Sequence, residues 1–269
     1  MTAPNPNNCI AYYKLDETSG TTAFDSTPNE HDGTANNARV FTSEVTGVVN
    51  TGADFTQGND YIDLNDKFTF IPDTLTFTVS VWVRFEDWND GDVSNIITNS
   101  DFSDDGGLYI RLDQRGSTNR LQASVGRGSN TGNSFQINFN SFNNNHDLNT
   151  WYHIVYTADG TNAYLYVDNV EVGTSSSFTS MLAPPIHNLQ IGRSGRNERF
   201  LDGYVDEVAI FDRALTTQEI EFLYASGSPG SEQQYPFSST PPPFTITTQT
   251  ATNIFSNQAT LNGEVSDFE

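Results

Sequence analysis

Apolar and polar residues alternate with a period of two along much of the chain. The alternation is clearest in segment 76–85, where the odd positions are all apolar and the even positions, Trp82 excepted, are polar or charged. Successive side chains of a β-strand point to opposite faces, so this pattern predicts a strand with one face in a core. The apolar positions are Phe77, Val79, Val81, Val83 and Phe85.

The same period recurs in segments that start at Leu108, Leu121 and Phe135, and again from Trp151 to Val172. Within 151–172, Asp159-Gly160 and Asp168-Asn169 stand where the chain must reverse, and these residue pairs favour tight hairpin turns. No helical period competes with the alternation. The sequence therefore predicts an all-β fold of two packed antiparallel sheets.

Two segments interrupt the pattern. Residues 86–105 are rich in Asp, Asn and Ser, which predicts a surface loop around the short apolar stretch Asn95-Ile96-Ile97. Residues 216–226 predict one short helix, because Thr216 and Glu219 have the spacing of a capping box and Leu215 and Ile220 that of a hydrophobic staple.

Several landmarks in one order resemble the laminin G-like branch of the concanavalin A-like lectin/glucanase superfamily. They are YYKLDETSGTTAFDSTPNEHDGT near the start, GADFTQGNDYIDL at 52–64, FTVSVWVRF at 77–85, WYHIVYTADGTNAYLYVDNVEV at 151–172, LQIGRSG at 189–195 and LDGYVDEVAIFDRALTTQEIEFLY at 201–224. The resemblance spans about residues 9–227 and implies a jelly-roll sandwich with a short helix after the last strand.

Composition changes after this region. We expect a jelly-roll domain over 1–227, a linker rich in Pro, Ser and Gly over 228–244, and the first strands of a second β module over 245–269. Segment 259–265, ATLNGEV, resembles the start of a fibronectin type III-like module. About 25 residues cannot close a sandwich core. These strands would need a further segment or a neighbouring chain.

Charge and cysteine content narrow the class of protein. The net charge of −22 would repel nucleic acids and anionic membranes, so neither is an expected partner. Cys9 is the single cysteine, which excludes an intramolecular disulfide. No apolar run is long enough to predict membrane insertion, and MTAPNPNNC has no secretory pattern, so we expect synthesis in a cytoplasm without visible export.

Catalytic motifs are absent from the sequence. It has no Glu-x-Asp-x-x-Glu pattern of laminarinase-type hydrolases, no Gly-x-Ser-x-Gly and no His-Glu-x-x-His. We therefore expect a protein that is not an enzyme, and a polysaccharide-acting jelly-roll enzyme is the third hypothesis.

The resemblance implies a structural calcium site where the first and last strands run side by side. Asp206 matches the Asp that relatives carry on the last strand, and Asp16 and Asp25 would be its companions. Carboxylate and carbonyl oxygens are the ligands that calcium prefers. The competing interpretation is that these residues cap turns or accept hydrogen bonds within a strand.

The polar side of the long strands offers aromatic rings and guanidinium groups that could hold a glycan, by stacking on sugar rings and by hydrogen bonding. The competing interpretation is that loops cover these aromatic residues. The candidate ligand-binding residues are Trp82, Arg84, Tyr109, Arg111, Tyr164 and Tyr166.

The function that these features favour is a structural or adhesive module of a virion, such as a phage capsid decoration, spike or tail fibre, with glycans as candidate ligands. Virion proteins are made in the host cytoplasm and act outside it. A virion protein would therefore have the composition of a surface module without a visible export signal. The alternative is a carbohydrate-binding or adhesion module of a bacterial surface or secreted multidomain protein, hence extracellular. We expect other virion or surface proteins as partners, and a homo-oligomer.

Overall fold

A computed structural model describes residues 2–87, 93–100, 107–115, 119–126, 135–140, 142, 146–176, 185, 187–195, 198–226 and 237, and two short strands within 252–260. The chain divides into a compact unit, Met1–Phe237, and a second unit, Ser238–Glu269. Most of the predicted linker and second module lies outside the described residues. The fibronectin type III-like assignment stays a prediction.

The structure is mostly β, as the alternation predicts. The strands, in chain order, are β1 Cys9–Tyr13, β2 Thr22–Ala23, β3 Gly33–Ala35, β4 Phe41–Thr46, β5 Thr51–Asp54, β6 Ile62–Asp63, β7 Thr76–Phe85, β8 Val93–Thr98, β9 Leu108–Asp113, β10 Arg120–Val125, β11 Ile137–Asn140, β12 Trp151–Asp159, β13 Ala163–Val167, β14 Val170–Ser175, β15 Gln190–Ile191, β16 Gly203–Phe211, β17 Thr252–Phe255 and β18 Gln258–Thr260. The helices are α1 Phe70–Thr74 and α2 Thr217–Ser226, with single 3-10 turns at Pro6–Asn8 and Ala38–Val40.

The first unit is a sandwich of two antiparallel sheets. Sheet I has the strand order β14-β13-β12-β7-β16-β5-β4, and β1 also pairs with β16. Sheet II has the order β11-β10-β9-β8-β15-β6-β3-β2. Strands that are neighbours in space are often far apart in sequence, as in the pairing of β16 with both β7 and β1. This topology confirms the predicted two-sheet jelly-roll class.

The main core lies between the sheets and contains the apolar positions of each alternating strand. Val79, Val81 and Val83 of β7 belong to the same buried cluster as Ile110 of β9 and Ala123 of β10. The burial of these side chains is the main driving force for folding, at roughly 25 cal/mol per Å² of apolar surface removed from water. The side chains that alternate with these core positions lie on the outer face of each sheet.

Part of the outer face of sheet I is apolar and is covered by α2. Helix α2 places Ile220 and Leu223 over Tyr12 of β1 and Phe211 of β16, and together they form a second buried cluster. Phe237 joins this cluster at 5% exposure, with its ring 5.5 Å from Tyr12 and 5.7 Å from Phe211 between centroids. Phe237 falls inside the predicted linker, so part of that segment packs on the domain.

The predicted helix is confirmed with its cap. The Glu219 carboxylate accepts a hydrogen bond from Thr216 N at 2.9 Å, and Glu219 N donates to Thr216 Oγ1 at 3.3 Å. Arg213 also binds this carboxylate through two hydrogen bonds of 2.8 and 2.6 Å. The capping box therefore satisfies N–H groups of the first helical turn.

One sequence-based expectation about the fold is wrong. Segment 93–98, expected inside a surface loop, is β8, an internal strand of sheet II with all six residues buried. A bulge between Asn95 and Ile97 shifts its register and interrupts the alternation of apolar and polar residues. Helix α1 was also not predicted, because five residues are too few for a helical period to be visible.

In the second unit, the structure describes only the antiparallel pair of β17 and β18. Within the part of the chain that the structure describes, no helix has the length and apolar character needed to cross a membrane.

Candidate functional site

The outer face of sheet II is polar, in contrast to that of sheet I. Since Leu108, Ile110 and Leu112 of β9 point into the core, Tyr109, Arg111 and Asp113 must point outward. The neighbouring strands follow the same rule and set side chains beside these three that are polar, Val93 excepted. The result is three cross-strand rows: Asn95-Arg111-Gln122-Asn138, Thr98-Tyr109-Ser124 and Val93-Asp113-Arg120-Asn140.

The first row is joined by hydrogen bonds. Arg111 Nε donates to Gln122 Oε1 at 2.8 Å, and Gln122 Nε2 donates to Asn138 Oδ1 at 2.5 Å. At the other end, Asn95 Nδ2 donates to the Arg199 carbonyl at 2.9 Å. Gln122 and Arg111 are buried at 1% and 4% exposure, whereas Asn138 is exposed. The row therefore runs from a buried centre to an accessible edge.

Asp113 is the electrostatic centre of the third row. It is fully buried and lies 3.0 Å from Arg115 Nε, 3.1 Å from Arg120 Nη2 and 3.9 Å from Arg111 Nη2. Burial acts to raise the pKa of Asp113, but the hydrogen bonds from Arg115 and Arg120 outweigh it and lower this pKa to about 2. Asp113 is thus a carboxylate at neutral pH and cannot serve as a proton donor.

The polar face continues toward β15 and β6. Gln190 Nε2 donates to Asp63 Oδ2 at 3.0 Å, and Arg193 Nε donates to Gln190 Oε1 at 3.1 Å. The Arg193 guanidinium lies 3.3 Å from the centroid of the Tyr61 ring. Arginine stacked on an aromatic ring and amides held in place are groups that recur where saccharides are bound.

Two polar atoms of this face are buried without a hydrogen-bond partner, Asn95 Oδ1 and Arg120 Nε. An unsatisfied buried polar atom costs about 1–3 kcal/mol, so a ligand or water that supplied the missing partner would stabilise the face. The Arg120 side chain is 33% exposed at its far end, which makes that end of the row reachable from solvent.

The structure places the six candidate ligand residues on two opposite surfaces. Tyr109 and Arg111 lie on sheet II, and their side chains are in contact, with the guanidinium 4.3 Å from the ring centroid. The other four, Trp82, Arg84, Tyr164 and Tyr166, lie on the outer face of sheet I. The six residues therefore do not form one binding surface, and their role in binding stays a prediction.

The sheet I members are largely covered. Trp82 is 3% exposed and stacks on His153 and on Tyr224 of α2, with centroid distances of 4.9 and 5.8 Å. Arg84 lies over the Tyr204 ring at 4.0 Å. These contacts agree with the competing interpretation that the aromatic residues of this face are covered.

A serine–histidine contact on the same face resembles a catalytic pair only in its distance. Ser80 Oγ and His153 Nε2 are 2.7 Å apart, but both residues are at most 1% exposed. Burial lowers the pKa of His153 to about 3, so the ring is neutral at physiological pH. With Trp82 and Tyr224 above it, the pair has no route to a substrate, and we interpret it as part of the packing.

The three carboxylates of the predicted calcium site bind backbone N–H groups. Asp206 accepts from Val48 N at 2.7 Å and Val49 N at 3.2 Å, and Asp16 accepts from Thr51 N at 3.2 Å. Both thus contact the turn between β4 and β5.

Asp25 has other partners, accepting from Tyr12 N at 2.9 Å and His31 N at 3.0 Å. Over the described ranges, no group of three or more His, Cys, Asp or Glu side chains is placed to hold a metal ion. Calcium binding therefore stays a prediction.

Beside Asp206 lies a second buried acid that the sequence reasoning missed. Glu207 follows it at a bulge of β16, with a left-handed φ of 50°, and is 1% exposed. The Tyr12 hydroxyl donates a hydrogen bond to Glu207 Oε2, while Oε1 is buried without a partner. Burial raises the pKa of Glu207 to about 8, and burial together with the Glu207 charge raises that of Asp206.

Other residues of the polar face were also missed, notably Gln122, Asn95 and Asp113. The alternation in segment 121–125 was a usable signal, since Leu121, Ala123 and Val125 in the core imply that Gln122 points outward. The cross-strand register that joins it to Arg111 cannot be read from one sequence, because it depends on pairings between distant segments.

Comparison with known proteins gives matches to a family and to solved folds. A family model described as the concanavalin A-like lectin/glucanases superfamily matches residues 56–221, more than half of the chain. No curated protein matches the sequence.

Solved structures resemble this fold at low sequence identity. Domain 4 of AbnA, an extracellular arabinanase of Geobacillus stearothermophilus solved with arabinotriose, shares 19% identity and covers 81% of this chain and 98% of its own, with a TM-score of 0.57. The receptor binding domain of botulinum neurotoxin D shares 13% identity over 84% of this chain and 57% of its own, with a TM-score of 0.59. The binding domain of botulinum neurotoxin DC with rat synaptotagmin II shares 14% over 84% and 53%, with a TM-score of 0.59.

The chain spans just over half the length of these toxin domains. Likeness at such identity concerns the fold alone, which agrees with the sandwich described above. By its sequence match, the chain belongs to the concanavalin A-like lectin/glucanase superfamily.

Proposed function

We propose that this chain is a non-catalytic glycan-binding module whose ligand lies on the outer face of sheet II. The observation that carries the proposal is the hydrogen-bonded polar row that runs from buried Arg111 and Gln122 to exposed Asn138. Asn95 Oδ1 in this row and Arg120 Nε in the next row are buried without a hydrogen-bond partner. Saccharides present many hydroxyl groups that both donate and accept hydrogen bonds, so they match a surface of amides and guanidinium groups.

A binding role fits this face better than hydrolysis. Glycoside hydrolysis needs two carboxyl groups, one of them with a raised pKa that lets it donate a proton. Asp113 is held ionised by arginines, and Asp63 accepts hydrogen bonds from Asn188 and Gln190 at 3.0 Å each. Release of reducing ends from alginate or laminarin by the purified chain would favour the enzyme hypothesis instead.

Similar folds add support by analogy. One was solved with arabinotriose and others are toxin domains that bind receptors, so the sandwich is used for recognition of saccharides and proteins. Because one fold can serve many functions, the side chains of sheet II carry the proposal.

The setting that we propose is a virion, with the module in a capsid decoration, spike or tail fibre. A bacterial surface or secreted multidomain protein is the alternative, and the extracellular arabinanase domain among the similar folds favours it. Capsid or tail genes next to the gene would support the virion setting, and a secretion signal in the full gene would support the alternative.

A virion component should also be oligomeric, because such proteins repeat with the symmetry of the particle. Sedimentation at high concentration tests this. A monomer whose C-terminal segment is cleaved readily by protease would contradict the oligomer and weaken the virion setting without affecting glycan binding.

A glycan array probed with the chain and with two matched variants tests the binding proposal. Gln122→Ala removes the bridge between Arg111 and Asn138, and we expect it to weaken binding by about tenfold, the effect of losing one or two hydrogen bonds. Gln218→Ala, on the exposed side of α2, is the control and should bind as the native chain does. A silent array, or equal binding by both variants, would contradict the proposed function.

A further inference from the structure

One cross-strand row on the outer face of sheet I remains accessible to solvent. Arg84 of β7 pairs with Trp151 of β12 on one side and with Tyr204 of β16 on the other. These side chains point outward, because the adjacent residues Val83 and Tyr152 lie in the core between the sheets. In strand order, the row is Trp151-Arg84-Tyr204-Asp54.

The adjacent row of the same face is closed. It contains His153, Trp82 and Asp206, each at most 3% exposed. Tyr224 of α2 stacks on Trp82, and Val48 from the turn before β5 packs in the same cluster. All four members of the Arg84 row, in contrast, are half-buried. The cover over this face therefore leaves the Arg84 row open.

The Arg84 guanidinium lies over two aromatic rings, 4.0 Å from the centroid of Tyr204 and 5.3 Å from that of Trp151. Its Nε is buried without a hydrogen-bond partner. Arg39 and Arg213, by comparison, bind carboxylates at 2.9 and 2.6 Å. Because the ring contacts hold the guanidinium in place, an acceptor in a ligand would meet a donor that is already oriented.

Carboxylates around the row determine which charge a ligand can carry. Burial, a hydrogen bond with Glu86 and the charges of Glu86 and Asp54 raise the pKa of Tyr204 to about 12. Burial and nearby charges, those of Glu86 and Asp54 among them, also raise the pKa of Asp202. Arg84 thus stands among several carboxylates, which would repel an anionic ligand. A sugar hydroxyl can accept a hydrogen bond from the guanidinium and donate one to a carboxylate.

We infer that the Arg84 row is a second saccharide site, separate from the one proposed on sheet II, and that it takes an uncharged sugar. Trp151 and Tyr204 would contact the apolar face of the sugar ring, Arg84 would donate to a hydroxyl oxygen, and Asp54 would accept from a hydroxyl group. Since the two sites lie on opposite faces of the sandwich, one domain would bind two glycans at once and gain avidity on a glycan-coated surface.

An array of neutral and acidic glycans, followed by calorimetric titration of the strongest neutral ligand, tests this inference. We expect its binding to fall about 3–10-fold in Arg84→Gln, the effect of losing one or two hydrogen bonds, and at least as much in Trp151→Ala. Gln122→Ala, on sheet II, should leave the binding that depends on Trp151 unchanged. Lys67→Gln and Phe24→Ala remove a cation and an aromatic ring from exposed positions and should bind as the native chain does.

A melting temperature for each variant shows that it is folded, and Arg84→Gln keeps the test decisive if Trp151→Ala does not fold. Binding that Gln122→Ala weakens and neither sheet I variant weakens would overturn the second site and leave the proposed function standing. Binding that the sheet I variants alone weaken would support the second site and contradict the proposed function. A silent array would overturn both. Equal weakening by the two control variants, or binding of acidic glycans alone, would overturn the assignment of a neutral sugar to this row.

Discussion

Tyr224 of α2 stacks on Trp82 of β7 with the two ring planes 11° apart. The contact joins the last helix to the central strand of sheet I and buries an indole that the sequence offers as a ligand-stacking residue. Val48 and Val49, from the turn before β5, complete the cover. The aromatic residues of this face thus have a packing role that does not require a ligand.

Replacing Trp82 distinguishes a packing role of this residue from a ligand-binding role. We expect Trp82→Ala to lower the free energy of unfolding by about 3–5 kcal/mol, the usual cost of deleting a large buried aromatic side chain. Urea denaturation measures this change. Glycan binding should survive in the folded fraction, because sheet II faces the opposite way. Lost binding with unchanged stability would instead identify sheet I as the ligand surface.

The buried acid pair predicts an unusual dependence of stability on pH. Burial raises the pKa of Glu207 from its ordinary value of 4.5 to about 8, so the folded chain holds a proton that the unfolded chain releases. Stability contributed by this proton is complete below about pH 4.5 and is lost as pH rises toward 8, by several kcal/mol. Urea midpoints across this range should therefore fall with increasing pH.

Glu207→Gln tests the origin of that slope. The amide keeps an acceptor for the Tyr12 hydroxyl and cannot ionise, so the variant should gain stability at pH 8 and show a flatter profile. Glu44→Gln, at an exposed position of β4, is the matched control. An unchanged slope in Glu207→Gln would mean that Glu207 does not titrate in this window.

The helix cap predicts an opposite effect in acid. Burial acts to raise the pKa of Glu219, but hydrogen bonds from Arg213 and Thr216 outweigh it and lower that pKa. The stability from this ionised carboxylate is therefore present above about pH 4.5 and is lost as pH falls below it. Glu219→Gln should cost about 1–2 kcal/mol at pH 7 and little in acid.

The neighbouring Glu221 is exposed on the same helix, and Glu221→Gln serves as the control for general charge effects. Urea unfolding at neutral and acid pH compares the two variants. Equal losses in both would show that helix charge, and not the bond network around Glu219, is responsible.

Calcium binding is tested by thermal melting. A cation held by Asp206 and Asp16 would raise the melting temperature, because a ligand that binds only the folded chain stabilises it. Asp206→Asn should reduce the rise, and magnesium provides the control ion. An unchanged melting temperature in millimolar calcium, with no heat in titration, would reject the calcium site.

The elements that the sequence predicted well are those with a strong local signal. β7 was predicted with its bounds because ten residues alternate without a break, and α2 because its cap residues have a fixed spacing. β8 was missed because it carries the buried polar residues Ser94 and Asn95 at positions where an apolar residue would have marked a buried strand. Its bulge then removed the remaining period.

The candidate site was only partly predictable for a related reason. Tyr109 and Arg111 were identified from one strand, but Asp113 acquires its arginines from the turn after β9 and from β10. Trp82 and Arg111 looked equivalent in sequence because both occupy outward positions of alternating strands. The outer faces of their two sheets lie on opposite sides of the sandwich. The strand order, which one sequence does not reveal, assigns Trp82 to sheet I and Arg111 to sheet II.

Phe237 extends the folded domain beyond its last helix. It is 5% exposed and packs against Tyr12 and Phe211 on the outer face of sheet I. A chain cut directly after α2 would leave these two aromatic rings without that cover, so the smallest fragment that keeps the whole core has to include residue 237.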